Sequence, residues 1–175
     1  MEIYLIRHTT PALSPGLIYG RLEVALTEDF EKEFETIKTQ LPADFDQVYS
    51  SPATRCTLLA GKIAPAFTTD LRLAELDFGD WEGKAWDTVD QNDLQKWMDD
   101  FVNCRVPGGE SMIDLQQRVS TFWNELIETK LQRIAIVTHA GVIRMLLTIY
   151  RGTMLADFFK IEVKYGAVIV ITPEK

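Results

Sequence analysis

Reactive side chains are scarce in this sequence. Histidine occurs twice in 175 residues, at His8 and His139, and cysteine twice, at Cys56 and Cys104. The cysteines stand far apart with no Cys-x-x-Cys spacing, so neither a disulfide framework nor a zinc site is signalled, and both are expected as free thiols in a reducing compartment. Without HxH or HExxH spacing the histidines offer no metal-binding pattern, and no metal or cofactor is called for. Positive charge is also in deficit: 18 Lys and Arg against 26 Asp and Glu give a net charge of −8 and a pI near 4.8. Such a surface opposes nucleic acid and anionic membrane. No apolar run approaches the ~20 residues that cross a bilayer, and the first apolar stretch is too short and too early for a signal-peptide core, which predicts a cytoplasmic protein. The composition leaves the oligomeric state open.

What is present is ordinary for a folded domain: 46% hydrophobic and 25% charged residues. The length suits one domain over residues 1–175, with a small helical insertion at about 84–108. Residues 3–6 and 134–137 are continuous apolar runs, each ending at a polar pair, as expected of strands buried on both faces. Shorter strands are expected at 47–49 and 168–171. Between them lie helical patterns: 27–41, stopped by Pro42; about 52–63, with Ser51 as cap and Pro52 at the first helical position; one or two helices within 86–102; a helix opened by the Ser111–Asp114 capping box with the stripe Leu115, Val119, Phe122, Leu126 and Ile127; and a helix from Gly141. Residues 9–23, with Pro11, Pro15, Gly16 and Gly20, and residues 70–83 read as loops. Strands alternating with helices predict an α/β fold, a three-layer αβα sandwich on a mostly parallel sheet.

Both histidines fall immediately past the end of a predicted buried strand, the edge at which ligands bind in parallel sheets. Arg7 precedes His8, and Arg55 falls in the first turn of the helix after the second strand. Two guanidiniums, with helix N-terminal amides, make a pocket suited to phosphate.

Four ordered segments carry a resemblance. Leu5-Ile6-Arg7-His8-Thr9 resembles the LxRHG signature of the histidine phosphatase superfamily, which includes phosphoglycerate mutases. Ser50-Ser51-Pro52-Ala53-Thr54-Arg55-Cys56 resembles its SSPLxRA segment, residues 73–83 its LxExxFGxWEG segment, and Val137-Thr138-His139-Ala140-Gly141 its second histidine motif. The resemblance implies a phosphoglycerate mutase-like fold and a phosphomonoesterase in which His8 is the nucleophile, Glu75 the proton donor and acceptor, and Arg7, Arg55 and His139 the phosphate pocket. Asp77, Asp80 and Glu82 are nearby carboxylates, expected as a solvated acidic loop. Thr9 replaces the usual glycine, Thr10 the glutamate that often follows, and Ala140 a frequent glycine.

A finer resemblance, to α-ribazole-5′-phosphate phosphatases of cobalamin nucleotide-loop assembly, rests on Pro15-Gly16-Leu17-Ile18-Tyr19-Gly20-Arg21 with Val24 and Leu26, on residues 78–82 and on residues 107–111. It resembles the GxxYGxxDVxL stretch, with Glu23 in place of aspartate. Thr9, Tyr19, Gly20, Arg21 and Ala140 are the substrate-binding residues this implies, Tyr19 being placed to stack on a base. A broad-specificity or fructose-2,6-bisphosphatase-like enzyme and a catalytically silent phosphate-binding module remain as alternatives.

Overall fold

The computed structural model describes residues 1–173; residues 174–175, which the expected domain also includes, lie outside the described residues. Five strands form one sheet: β1 (Glu2–Arg7), β2 (Gln47–Ser50), β3 (Thr68–Thr69), β4 (Arg133–Thr138) and β5 (Val168–Ile171), in the order β3-β2-β4-β1-β5. All neighbours are parallel except β5, which runs antiparallel to β1.

Side chains of the central strands alternate between two cores. Ile3, Leu5, Ile134 and Ile136 face α4 (Met112–Ile127) and α5 (Ala140–Arg151), whereas Ile6, Ala135 and Val137 face α1 (Phe30–Lys38) and α2 (Thr54–Ile63). Helices thus cover both faces, which explains why β1 and β4 read as unbroken apolar runs rather than alternating ones. Each fully buried Ile or Leu contributes roughly 1.5–3 kcal/mol. The helix in the expected insertion is single, α3 (Gln91–Asp99), capped by the Asp90 carboxylate, which accepts from the Asn92 and Asp93 amides.

Several boundaries depart from the sequence reading. α1 is shorter than 27–41 because its flanks close as three-residue turns, with the Phe30 amide on the Thr27 carbonyl and the Gln40 amide on the Ile37 carbonyl. α2 begins at Thr54, not Pro52, and Ser51 does not cap it: its amide extends the β4 ladder onto the Val137 carbonyl and its hydroxyl is drawn to His139. The cap comes instead from far away, since the Glu23 carboxylate accepts from the Thr54 amide at 3.2 and 3.3 Å. On α4 the capping box forms as expected, and Leu115, Val119, Phe122 and Leu126 are buried, but Ile127 turns outward. α5 starts one residue early, at Ala140. The two-residue edge strand β3 and the 3-10 segment Leu155–Lys160 carry too little pattern to be read in advance.

Candidate active site

The sheet register places the two histidines side by side. Arg7 on β1 is paired with Thr138 on β4, so the next residues, His8 and His139, leave adjacent strands at the same level; the His8 amide still donates to the Thr138 carbonyl at 3.0 Å. Their ring centroids lie 5.2 Å apart. Both are buried.

Hydrogen bonds set the two tautomers. His8 Nδ1 lies 2.8 Å from the Thr9 carbonyl, which can only accept, so Nδ1 carries the proton and Nε2 the lone pair. That Nε2 is buried and has no hydrogen-bond partner among the described residues. His139 is the reverse: Nδ1 accepts from Arg55 Nη2 at 3.4 Å, and Nε2 donates to the Ser51 hydroxyl at 2.7 Å. Burial lowers the His8 pKa to about 3, with the Thr9 bond opposing and the Arg55 and Arg7 charges reinforcing that shift. Burial, then the neighbouring His8, Arg55 and Arg7, hold His139 well below its ordinary value as well. Both imidazoles are therefore neutral around pH 7.

Arg55 is wholly buried on the first turn of α2. Besides touching His139 it donates to the carbonyls of Gly20 (2.7 Å) and Leu22 (2.9 Å), fastening the 9–23 loop over the site. Arg7 donates to the Val163 carbonyl at 2.6 Å and lies 3.7 Å from the centre of the Tyr165 ring. Among the described residues the Nε atoms of both arginines are buried without a partner, as is the Thr9 hydroxyl. Unsatisfied donors on two arginines whose charges act on His8 suit an anionic ligand.

Glu75 follows the 3-10 turn Leu71–Leu73, which is tied to β4 by the Thr138 hydroxyl on the Leu73 carbonyl at 2.7 Å. Its carboxylate accepts from the amides of Leu76 (2.9 Å) and Gly141 (3.1 Å). A Cβ at Gly141 would push the Glu75 carboxylate out of this position. A cleft of about 400 Å³ is lined by Glu75, His139, Arg55, Ser51, Arg21 and Arg118, among others. His139 lines this cleft, and the His8 ring is centred 5.2 Å from that of His139.

The structure brings together His8, His139, Arg7, Arg55 and Glu75. Of the residues expected to touch substrate, Thr9 and Ala140 are buried next to the histidines. Tyr19 sits edge-on to His8 with ring centres 6.4 Å apart, Gly20 is held by its carbonyl, and Arg21 lines the cleft. Asp77 and Glu82 are not the free acidic surface expected: Asp77 pairs with Arg21 at 3.2 Å, and Glu82 accepts from the Arg21 and Phe78 amides. Two of the helix N-terminal amides expected around phosphate are taken, Thr54 by Glu23 and Gly141 by Glu75. Sequence reasoning missed Ser51 as the partner of His139, and Tyr165, whose hydroxyl lies 3.0 Å from that of Tyr19 and whose ring centre is 5.6 Å from His8. It missed Arg118 too.

A parallel sheet that delivers two neutral imidazoles and two arginines to one edge defines a phosphate-handling enzyme of the histidine type. The chain belongs to the histidine phosphatase superfamily (branch 1), which it matches over residues 3–175. It is a phosphatase. Phosphoserine phosphatase 1 of Hydrogenobacter thermophilus is 26% identical to it over 185 residues, covering 100% of this chain and 88% of that one. The crystal structure of the α-ribazole phosphatase of Shigella flexneri superposes with a TM-score of 0.89 at 26% identity, covering 98% of this chain and 90% of that one. Among the described residues no helix is long and apolar enough to cross a membrane.

Proposed function

We propose that the protein hydrolyses a phosphomonoester through a phosphohistidine on His8. The observation that carries this reading is the tautomer of His8: its proton is committed to the Thr9 carbonyl, leaving a buried, unprotonated and unpartnered Nε2 beside two arginines. Nε2 attacks phosphorus as the bond to the leaving oxygen breaks, and Glu75 delivers a proton to that oxygen. Water then attacks the phosphohistidine, the P–N bond breaks, and Glu75 takes the proton from the water. Arg7 and Arg55 hold the phosphoryl oxygens throughout, stabilising the charge that shifts onto them in the transition state, and His139, whose one N–H goes to Ser51, steadies the Arg55 fork through Nδ1.

For the substrate we favour an uncharged, nucleoside-like leaving group, as in α-ribazole-5′-phosphate. Three further arginines line the cleft, and each is already paired: Arg21 with Asp77 and Glu110, Arg72 with Asp70 and Glu125, Arg118 with Glu110. The remaining wall includes Pro52, Ala53, Leu71 and Ala74, an apolar lining for a flat ring. The fold likeness to an α-ribazole phosphatase supports the same reading. Similarity along the whole chain to a phosphoserine phosphatase supports a second one. Values of kcat/KM for α-ribazole-5′-phosphate, phosphoserine and p-nitrophenyl phosphate separate them. The first should be hydrolysed fastest; phosphoserine leading would install the second reading, and α-ribazole-5′-phosphate no faster than p-nitrophenyl phosphate would remove the first.

A further inference from the structure

We propose that Arg118 and Glu110 form the positioning pair that sets Glu75 for proton transfer, an inference that rests on Glu75 being the proton donor. Arg118, on α4, lies beneath the loop that carries Glu75 and spends its guanidinium on that loop. Nη1 donates to the carbonyls of Arg72 and Ala74, both at 2.7 Å, and Nη2 to the carbonyl of Glu75 itself at 3.0 Å. Glu110 fixes the same guanidinium from the other side with two bonds of 2.9 Å, and its Oε2 also accepts from the Asp77 amide at 3.1 Å.

The loop is thereby gripped at residues 72, 74, 75 and 77, on both sides of the Glu75 carboxylate. Arg21 adds a bond from its Nε to the Glu75 carbonyl and another to Glu110, coupling this grip to the loop that bears Tyr19. Burial raises the Glu110 pKa, but the bonds and charge of Arg118, the Asp77 amide and Arg21 outweigh it, so the carboxylate stays charged in its half-buried position. A planar fork reaching three carbonyls while paired bidentately has no equivalent in a lysine, which is a point charge on a flexible stem. The Arg118 guanidinium is taken up by three loop carbonyls and Glu110, so the pair acts on where the Glu75 carboxylate stands.

The test exploits leaving-group chemistry. An alkyl phosphomonoester needs a proton on its departing oxygen, whereas p-nitrophenolate leaves without one. Arg118→Lys and Glu110→Gln should lower kcat/KM for an alkyl phosphate by ~100-fold, the scale of a misplaced catalytic group, with kcat/KM for p-nitrophenyl phosphate, which reports only the steps up to phosphohistidine formation, little changed. Glu75→Gln should show the same split in kcat/KM, with kcat falling on both substrates because Glu75 also takes the proton from water, and adding Arg118→Lys to it should cost nothing further in kcat/KM on the alkyl substrate. If Glu75→Gln splits the substrates while the Arg118 and Glu110 variants slow both equally, or if the two losses add in the double variant, the positioning role is overturned. If Glu75→Gln itself shows no split, the proton-donor reading fails and the positioning role falls with it. Thermal midpoints of each variant identify any that has simply lost its fold.

Discussion

The site turns on where single protons sit. One carbonyl, that of Thr9, directs the His8 proton to Nδ1, and one hydroxyl, that of Ser51, draws the His139 proton to Nε2. Because burial leads the depression of both pKa values, folding at these positions is linked to proton release. The unfolded imidazoles protonate near their ordinary 6.5, while His8 in the folded state does so only near 3 and His139 also far below its usual range. Between those limits the unfolded chain binds more protons, so stability is full above pH 7 and is lost as the pH falls. Each histidine should cost about 2 kcal/mol between pH 7 and 5 by that linkage. Urea unfolding at both pH values checks this: wild type should lose twice what His8→Ala loses, and equal stability at pH 7 and 5 would mean that the folded imidazoles are already charged. At this scale the sequence was informative about identity and silent about geometry. The histidines, arginines and Glu75 stood in recognisable segments, but the roles of Ser51, Tyr165 and Arg118 come from contacts 88, 146 and 43–46 residues apart, which no local period announces.

Among the elements, the long apolar strands and the α4 stripe were legible because burial on one face or two writes itself into the residue pattern. The start of α2 was misread for a physical reason. Ser51 before Pro52 is a strong capping signal in isolation, yet the hydroxyl finds a buried imidazole and the cap passes to Glu23, on a loop that Arg55 holds in place. Glu23→Ala should therefore destabilise the protein by about 0.5–1 kcal/mol, the ordinary worth of a helix cap at an exposed position. Denaturant titration at pH 7 measures it, and an unchanged midpoint would show that the Glu23 contact does not hold the helix. β3 was invisible because two residues on a sheet edge carry no periodicity, and its pairing is dictated by β2.

For the molecule as a whole, an acidic chain has to receive an anionic substrate. It does so by gathering Arg7 and Arg55 at the one sheet edge where two strands end in histidine, while the other cleft arginines are neutralised by carboxylates. The α/β class and the mostly parallel sheet followed from alternating strand and helix patterns, whereas the closure of the 9–23 loop over the histidines depended on buried bonds to backbone carbonyls that composition does not encode. The claim on which the rest depends is that phosphate passes through His8 Nε2. Mixing enzyme with ³²P-labelled substrate, quenching within milliseconds into base, where phosphohistidine survives, and mapping the labelled peptide by mass spectrometry reads it directly. Label on His8 through Nε2, absent from His8→Ala, is the expected result; turnover by the wild type with no labelled protein, or with label on another residue, would contradict it.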